Sequence, residues 1–170
     1  FTVRRDAPLP MYGSADTLER IARRFPYIFD EKLRPLPGTS KPEGQARVVS
    51  HGETVEIGEA RVTAFSLPHG AVRVMGYRIG PLAYVTDAKS VPAEGLEFLA
   101  GARVLVLNAL FRTEHPTHLS IPEAIRVAQQ VGAERTYLTH LTHESFHADL
   151  EAELPRGIAP AFDGLVVRID

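Results

Sequence analysis

With 170 residues, 44% of them apolar and 24% charged, the chain has the length and composition of one ordinary folded domain, residues 1–170. Its formal charge of −2 gives no electrostatic hold on a phosphate backbone, so no nucleic acid is expected as partner. The absence of cysteine excludes disulfides, thiolate chemistry and Cys-ligated zinc or iron–sulfur clusters, and no apolar run is long enough to span a bilayer.

The first residue is Phe1 rather than a methionine, and further sequence is expected upstream. Met11-Tyr12-Gly13 reads as a short extended piece. Ser14 has the character of an N-cap, and Leu18, Ile21, Ala22 and Phe25 recur at helical spacing behind it. Asp16 and Glu19 come early in this helix and Arg20, Arg23 and Arg24 late, as the helix dipole favours, so the arginines read as a solvated face. Residues 30–45 are rich in Pro, Gly, Lys and Glu and read as a loop. Strands are expected at 46–49, 54–57, 60–65, 72–79 and 82–86, with Gly52, Gly58 and Gly80-Pro81 as turns, in an antiparallel run.

The pattern then changes. A short helix is expected at 92–100 and a buried strand at 103–107. Ser120, with Pro122 and Glu123 behind it, carries a capping-box signature for a helix ending at Gly132. A strand at 135–139, a helix at 146–154 and a closing hairpin of 158–162 with 165–169 complete the reading. This order predicts an α+β fold with helices packed on a sheet face.

With no cysteine, any metal must rest on carboxylates and on the seven histidines. His69, Asp87 and His140 each stand just past a predicted strand. Strand ends of one sheet converge on one rim, so three strands can deliver His, Asp and His to one point, a donor set suited to zinc, iron or manganese. A second cluster, Thr113 to Ser120, leads from the buried strand into a helix N-terminus, a place that favours anions. His118 there is a candidate proton donor or phosphate contact. His115 is expected only to pack in the loop. His51 falls in a turn and His147 at a helix start, both as surface residues. His143, three residues past His140, is placed to orient a ligating neighbour.

These segments, in order, resemble the metallo-β-lactamase-fold hydrolases. The matching pieces are Pro8 to Ser14, Leu67-Pro68-His69-Gly70, Tyr84-Val85-Thr86-Asp87, His115-Pro116-Thr117-His118 and Leu138 to His143. Within the family the chain is similar to the phosphoribosyl cyclic phosphate phosphodiesterase branch and, more distantly, to the tRNA 3′-processing endonucleases. The resemblance implies an αββα sandwich, here lacking its N-terminal portion, with a dinuclear site at the rim between two sheets. It implies His69, Asp87 and His140 as metal ligands, Asp87 bridging, with two divalent ions, zinc or manganese, in the complete protein. It implies His118 as general acid and phosphate contact, and His143 beside it on the substrate. The family's His-x-His-x-Asp-His motif does not occur in these 170 residues and is expected upstream of Phe1.

The implied activity is hydrolysis of a small, cyclic phosphodiester by a metal-bound hydroxide. The alternatives are a thioester or lactone hydrolase of the same fold, and a binding module without catalysis. A cytoplasmic protein is expected, with no membrane partner and with a homodimer as an open possibility.

Overall fold

The computed structural model describes residues 7–169. The chain divides into two compact units, residues 1–50 and 51–170. In the first, β1 (Leu9–Gly13) is followed by α1 (Ala15–Arg24), the one-turn α2 (Pro26–Phe29) and β2 (Gly44–Val48). Ser14 caps α1 by accepting from the Thr17 N–H. β2 runs parallel to β1, from Leu9 beside Gly44 to Gly13 beside Val48. This corrects the expectation that the strand near residue 46 opens the antiparallel run. The helices and loop between β1 and β2 supply the crossover that a parallel pair requires.

The second unit is one seven-stranded mixed sheet. β3 (Thr54–Ile57), β4 (Ala60–His69), β5 (Val72–Ile79) and β6 (Leu82–Val85) are antiparallel neighbours. Then β7 (Val104–Asn108), β8 (Arg135–Thr139) and β9 (Ile158–Pro160) add in parallel beside β6. The strands lie in sequence order across the sheet. The helices α3 (Ala93–Leu99), α4 (Ile121–Val131) and α5 (His147–Glu153) make the crossovers.

One face of the sheet is the core. Phe65, Leu67, Ala83, Val85, Leu105, Leu107 and Leu138 point from the strands into a cluster with Leu99, Ile121, Ala124, Val127, Ala128 and Leu150 of the helices. Burial of each Leu, Ile, Val or Phe among them is worth about 1.5–3 kcal/mol. The opposite face is not polar. Tyr77, Tyr84, Val106 and Tyr137 stand in register across β5 to β8, none of them fully buried. An aromatic row of this kind is the surface on which a second layer packs in a two-sheet sandwich.

The closing hairpin expected at the C-terminus does not form. β9 pairs in parallel with β8, and residues 165–169 are not in a strand. The apolar character of Leu165 to Ile169 marks strand propensity but not a partner, and these residues form no ladder on β9, the last strand of the sheet.

Candidate metal centre

Four strand ends build this site, all within the second unit. β6, β7 and β8 are parallel, and β4 lies antiparallel to β5, which lies antiparallel to β6. The C-terminal ends of β4, β6, β7 and β8 therefore share one rim. His69 is the last residue of β4, Asp87 follows β6, Asn108 ends β7 and His140 follows β8.

Loops past these ends are tied together through the backbone. The Lys89 N–H donates to Pro68 O at 2.7 Å, and the Leu119 N–H donates to Ala88 O at 2.9 Å. The Asn108 side chain, fully buried, accepts from the Ala88 N–H at 2.8 Å and donates to Ala88 O at 3.0 Å. His140 has φ 61°, the left-handed region that costs a non-glycine residue free energy and is common at functional sites.

Wherever a metal is to be held, the donors must converge. Among the described residues, Asp87, His118 and His140 each bring one donor atom, and the three atoms lie within 4.8 Å of one another. His118 Nε2 stands 3.1 Å from His140 Nε2 and 3.4 Å from Asp87 Oδ1, and His140 Nε2 stands 3.5 Å from the same oxygen. The Thr86 hydroxyl donates to the other oxygen, Asp87 Oδ2, at 3.2 Å and leaves Oδ1 to the cluster. His69 packs edge-on against His118, ring centres 4.6 Å apart, and its Nδ1 is 2.9 Å from Thr117 O. A carbonyl oxygen only accepts, so in neutral His69 the proton sits on Nδ1 and Nε2 keeps its lone pair.

This donor set fits a divalent cation. It offers imidazole nitrogens and a carboxylate on one rim, with a ring N–H anchored on a backbone carbonyl as metal-binding histidines commonly have. Bringing three such groups together without a cation between them gains little, because the shortest of the three contacts, at 3.1 Å, sets two imidazole nitrogens against each other.

Electrostatics separates His118 from its neighbours. Its side chain is 12% exposed, against 43% for His140 and 45% for Asp87. Burial pushes the imidazole below the ordinary histidine range, His140 and His69 add to the effect, and Asp87 opposes it. His118 is thus held neutral at neutral pH.

The other histidines fall elsewhere. His143 is exposed, and the described residues make no hydrogen bond, ion pair or ring contact with it. His51 accepts from the Ser66 N–H at 3.0 Å and meets Glu94 at 2.9 Å, so this turn residue ties β4 to α3. His147 lies edge-on to Phe162. His115 is bonded to Thr117 directly behind His118. The N-terminus of α4, expected to attract an anion, is filled from within. The Glu123 carboxylate accepts from both the N–H and the hydroxyl of Ser120 at 2.7 Å and from Lys89 Nζ at 2.9 Å. Asn108 and Thr117, both central to the geometry, were given no role in the sequence reading, since a buried strand end and a loop threonine follow no period.

Comparison with known proteins agrees with this architecture. The model of the beta-lactamase superfamily domain matches residues 1–141. An octanoyltransferase of Porphyromonas gingivalis is 35% identical over 167 residues, which are 95% of this chain and 32% of that protein. The crystal structure of a diphosphatase from the PhnP family superposes with a TM-score of 0.82 at 33% identity, over 94% of this chain and 57% of that one. Zn2+-bound PqqB from Methylobacterium extorquens, at 18% identity and a TM-score of 0.71, shares the fold over 99% of this chain and 67% of its own. The chain thus spans about a third of the octanoyltransferase and little more than half of the diphosphatase.

Proposed function

Since this chain belongs to the beta-lactamase superfamily, whose fold its mixed sheet and helices follow, we propose that it is the metal-dependent hydrolytic part of a phosphodiesterase acting on a small, cyclic phosphodiester. Asp87, His140 and His69 are its metal donors, for zinc or manganese, and His118 is its catalytic residue. The observation that carries the reading is the placement of His118. Its Nε2 faces Asp87 and His140 at the rim, while its Nδ1 is bonded from behind at 2.8 Å by Thr117. The likeness to a PhnP-family diphosphatase supports phosphorus as the centre attacked.

A divalent cation held by Asp87, His140 and His69 would polarise the phosphoryl oxygens and make water a nucleophile at neutral pH. Asp87 and His140 orient the reaction from one side. His118, held neutral by its surroundings, takes up a proton at Nε2 as water attacks and passes it to the alkoxide oxygen that leaves. An alkoxide is a poor leaving group, and such proton transfer is worth about 10²- to 10⁴-fold. His143, exposed and three residues past His140, is the further residue proposed to contact the substrate.

The test is His118→Ala assayed on an alkyl or ribosyl phosphodiester and on a nitrophenyl ester. A steep loss on the first and a small loss on the second is expected. Equal losses remove the proton-transfer role. The octanoyltransferase relative favours acyl chemistry as a second reading. Turnover of a thioester or lactone faster than of any phosphodiester would decide for it.

A further inference from the structure

Thr117 touches three of the site's imidazoles with three different groups. Its carbonyl accepts from His69 Nδ1 at 2.9 Å. Its N–H reaches His115 Nδ1 at 3.4 Å. Its hydroxyl lies 2.8 Å from His118 Nδ1 and 3.1 Å from His115 Nδ1. His118 Nδ1 and His115 Nδ1 are themselves 3.4 Å apart.

Hydrogen-bond bookkeeping orders these contacts. A backbone N–H only donates, so His115 Nδ1 is a lone pair. A second lone pair facing it at 3.4 Å would be repelled, so His118 Nδ1 carries the proton. That proton goes to Thr117 Oγ1, and the Thr117 O–H then points on to His115 Nδ1. The chain therefore runs one way, from the His118 N–H through the Thr117 hydroxyl to His115. Neutral His118 is left with its lone pair on Nε2, the nitrogen that faces Asp87 and His140. His69, bonded to the Thr117 carbonyl, is left with its lone pair on Nε2 as well.

The rotamer of Thr117 is fixed from its other side. Gly70, with φ 59°, lies so close that a Cβ there would stand 2.7 Å from Thr117 Cγ2. A β-branched side chain with its methyl seated in this way has its hydroxyl direction set.

We propose that Thr117 is the positioning residue of this centre. It sets the tautomer of His118 through its hydroxyl and that of His69 through its carbonyl, with His115 as the acceptor that gives the hydroxyl its direction. His115, expected to be a loop-packing residue, thereby acts on the site through Thr117. The proposal rests on the reading of His69 and His118 as working groups of the centre, but its test is read on the rings themselves, without metal or substrate.

The experiment is long-range 1H–15N NMR of the histidine rings in the metal-free chain, which separates Nδ1–H from Nε2–H tautomers, followed by titration with zinc alone. In the unmodified chain His69 and His118 are expected as Nδ1–H tautomers. Thr117→Val keeps the carbonyl and the shape but removes the hydroxyl. It is expected to move His118 toward Nε2–H, to leave His69 unchanged, and to weaken zinc about 10- to 100-fold, as loss of an orienting partner does elsewhere. Thr117→Ser keeps the hydroxyl and is expected to keep the His118 tautomer. His115→Ala, a change in a surface loop, frees the Thr117 O–H to turn toward His118 Nδ1 and is expected to give the Nε2–H form without any change at Thr117. It also serves should Thr117→Val fail to fold. A His118 ring that stays Nδ1–H in both Thr117→Val and His115→Ala overturns the proposal, as does an equal loss of zinc in Thr117→Ser and Thr117→Val. Failure of phosphodiester hydrolysis alone would bear on the proposed function and leave these spectra untouched.

Discussion

Asn108 and Ala88 form a closed ring of two hydrogen bonds, side-chain amide to backbone, beneath the loop that carries Asp87. Asn108 is fully buried, and a buried backbone group left without its partner costs about 1–3 kcal/mol. Asn108→Ala is therefore expected to destabilise the protein by about 3 kcal/mol in urea unfolding. Zinc affinity is expected to fall with it, because Asp87 is one residue from the released anchor. Asn108→Asp, which keeps the acceptor but loses the donor, is expected to fall between. Unchanged stability in Asn108→Ala would show that the ring carries no load.

His140 combines a metal donor with a strained backbone. At φ 61° a residue with a Cβ pays about 1–2 kcal/mol that glycine does not. His140→Ala and His140→Gly both remove the imidazole and are both expected to lose zinc. His140→Gly is expected to be the more stable by about 1 kcal/mol, measured by thermal unfolding of the metal-free proteins. Equal stability would mean that the loop relaxes out of the left-handed region once the imidazole is gone.

Glu123 gives an acid signature. Partial burial by itself would raise its carboxyl, but hydrogen bonds from Lys89 and from the Ser120 N–H and hydroxyl outweigh that and hold it at about 2, against an ordinary 4.5. A carboxylate depressed in the folded state contributes stability that is whole above the ordinary value and drains away as the pH falls toward the folded one. The stability difference between the unmodified chain and Glu123→Gln is expected to be constant above pH 5 and to shrink between about pH 4.5 and 2. Denaturant unfolding across that range measures it. A difference that persists at pH 2 would exclude the charge as its source.

The outline of the site was legible in the sequence because strand ends carry it. His69, Asp87 and His140 follow strands whose apolar character is plain, and parallel strands put their C-terminal ends on one rim. The capping box of Ser120 and Glu123 was equally plain, yet its consequence was not. The acid that caps α4 also occupies the place where an outside anion would bind. The roles of Thr117 and His115 could not be read, because a loop residue's contacts depend on how the loop folds back, and Thr117 acts through its backbone as much as through its side chain. The parallel partnership of β1 and β2 escaped for a related reason. Alternation of apolar residues marks a strand but not its neighbour, and the same weakness made residues 165–169 look like a closing strand.

The position of a bound ion bears most directly on the centre proposed here, and anomalous diffraction at the zinc edge from zinc-soaked crystals locates it. Zinc bonded to Asp87, His140 and His69, with His118 beside it, is the expected result. Zinc at the other histidine–carboxylate pairs, His51 with Glu94 or His147 with Glu151, with none at Asp87, would contradict it.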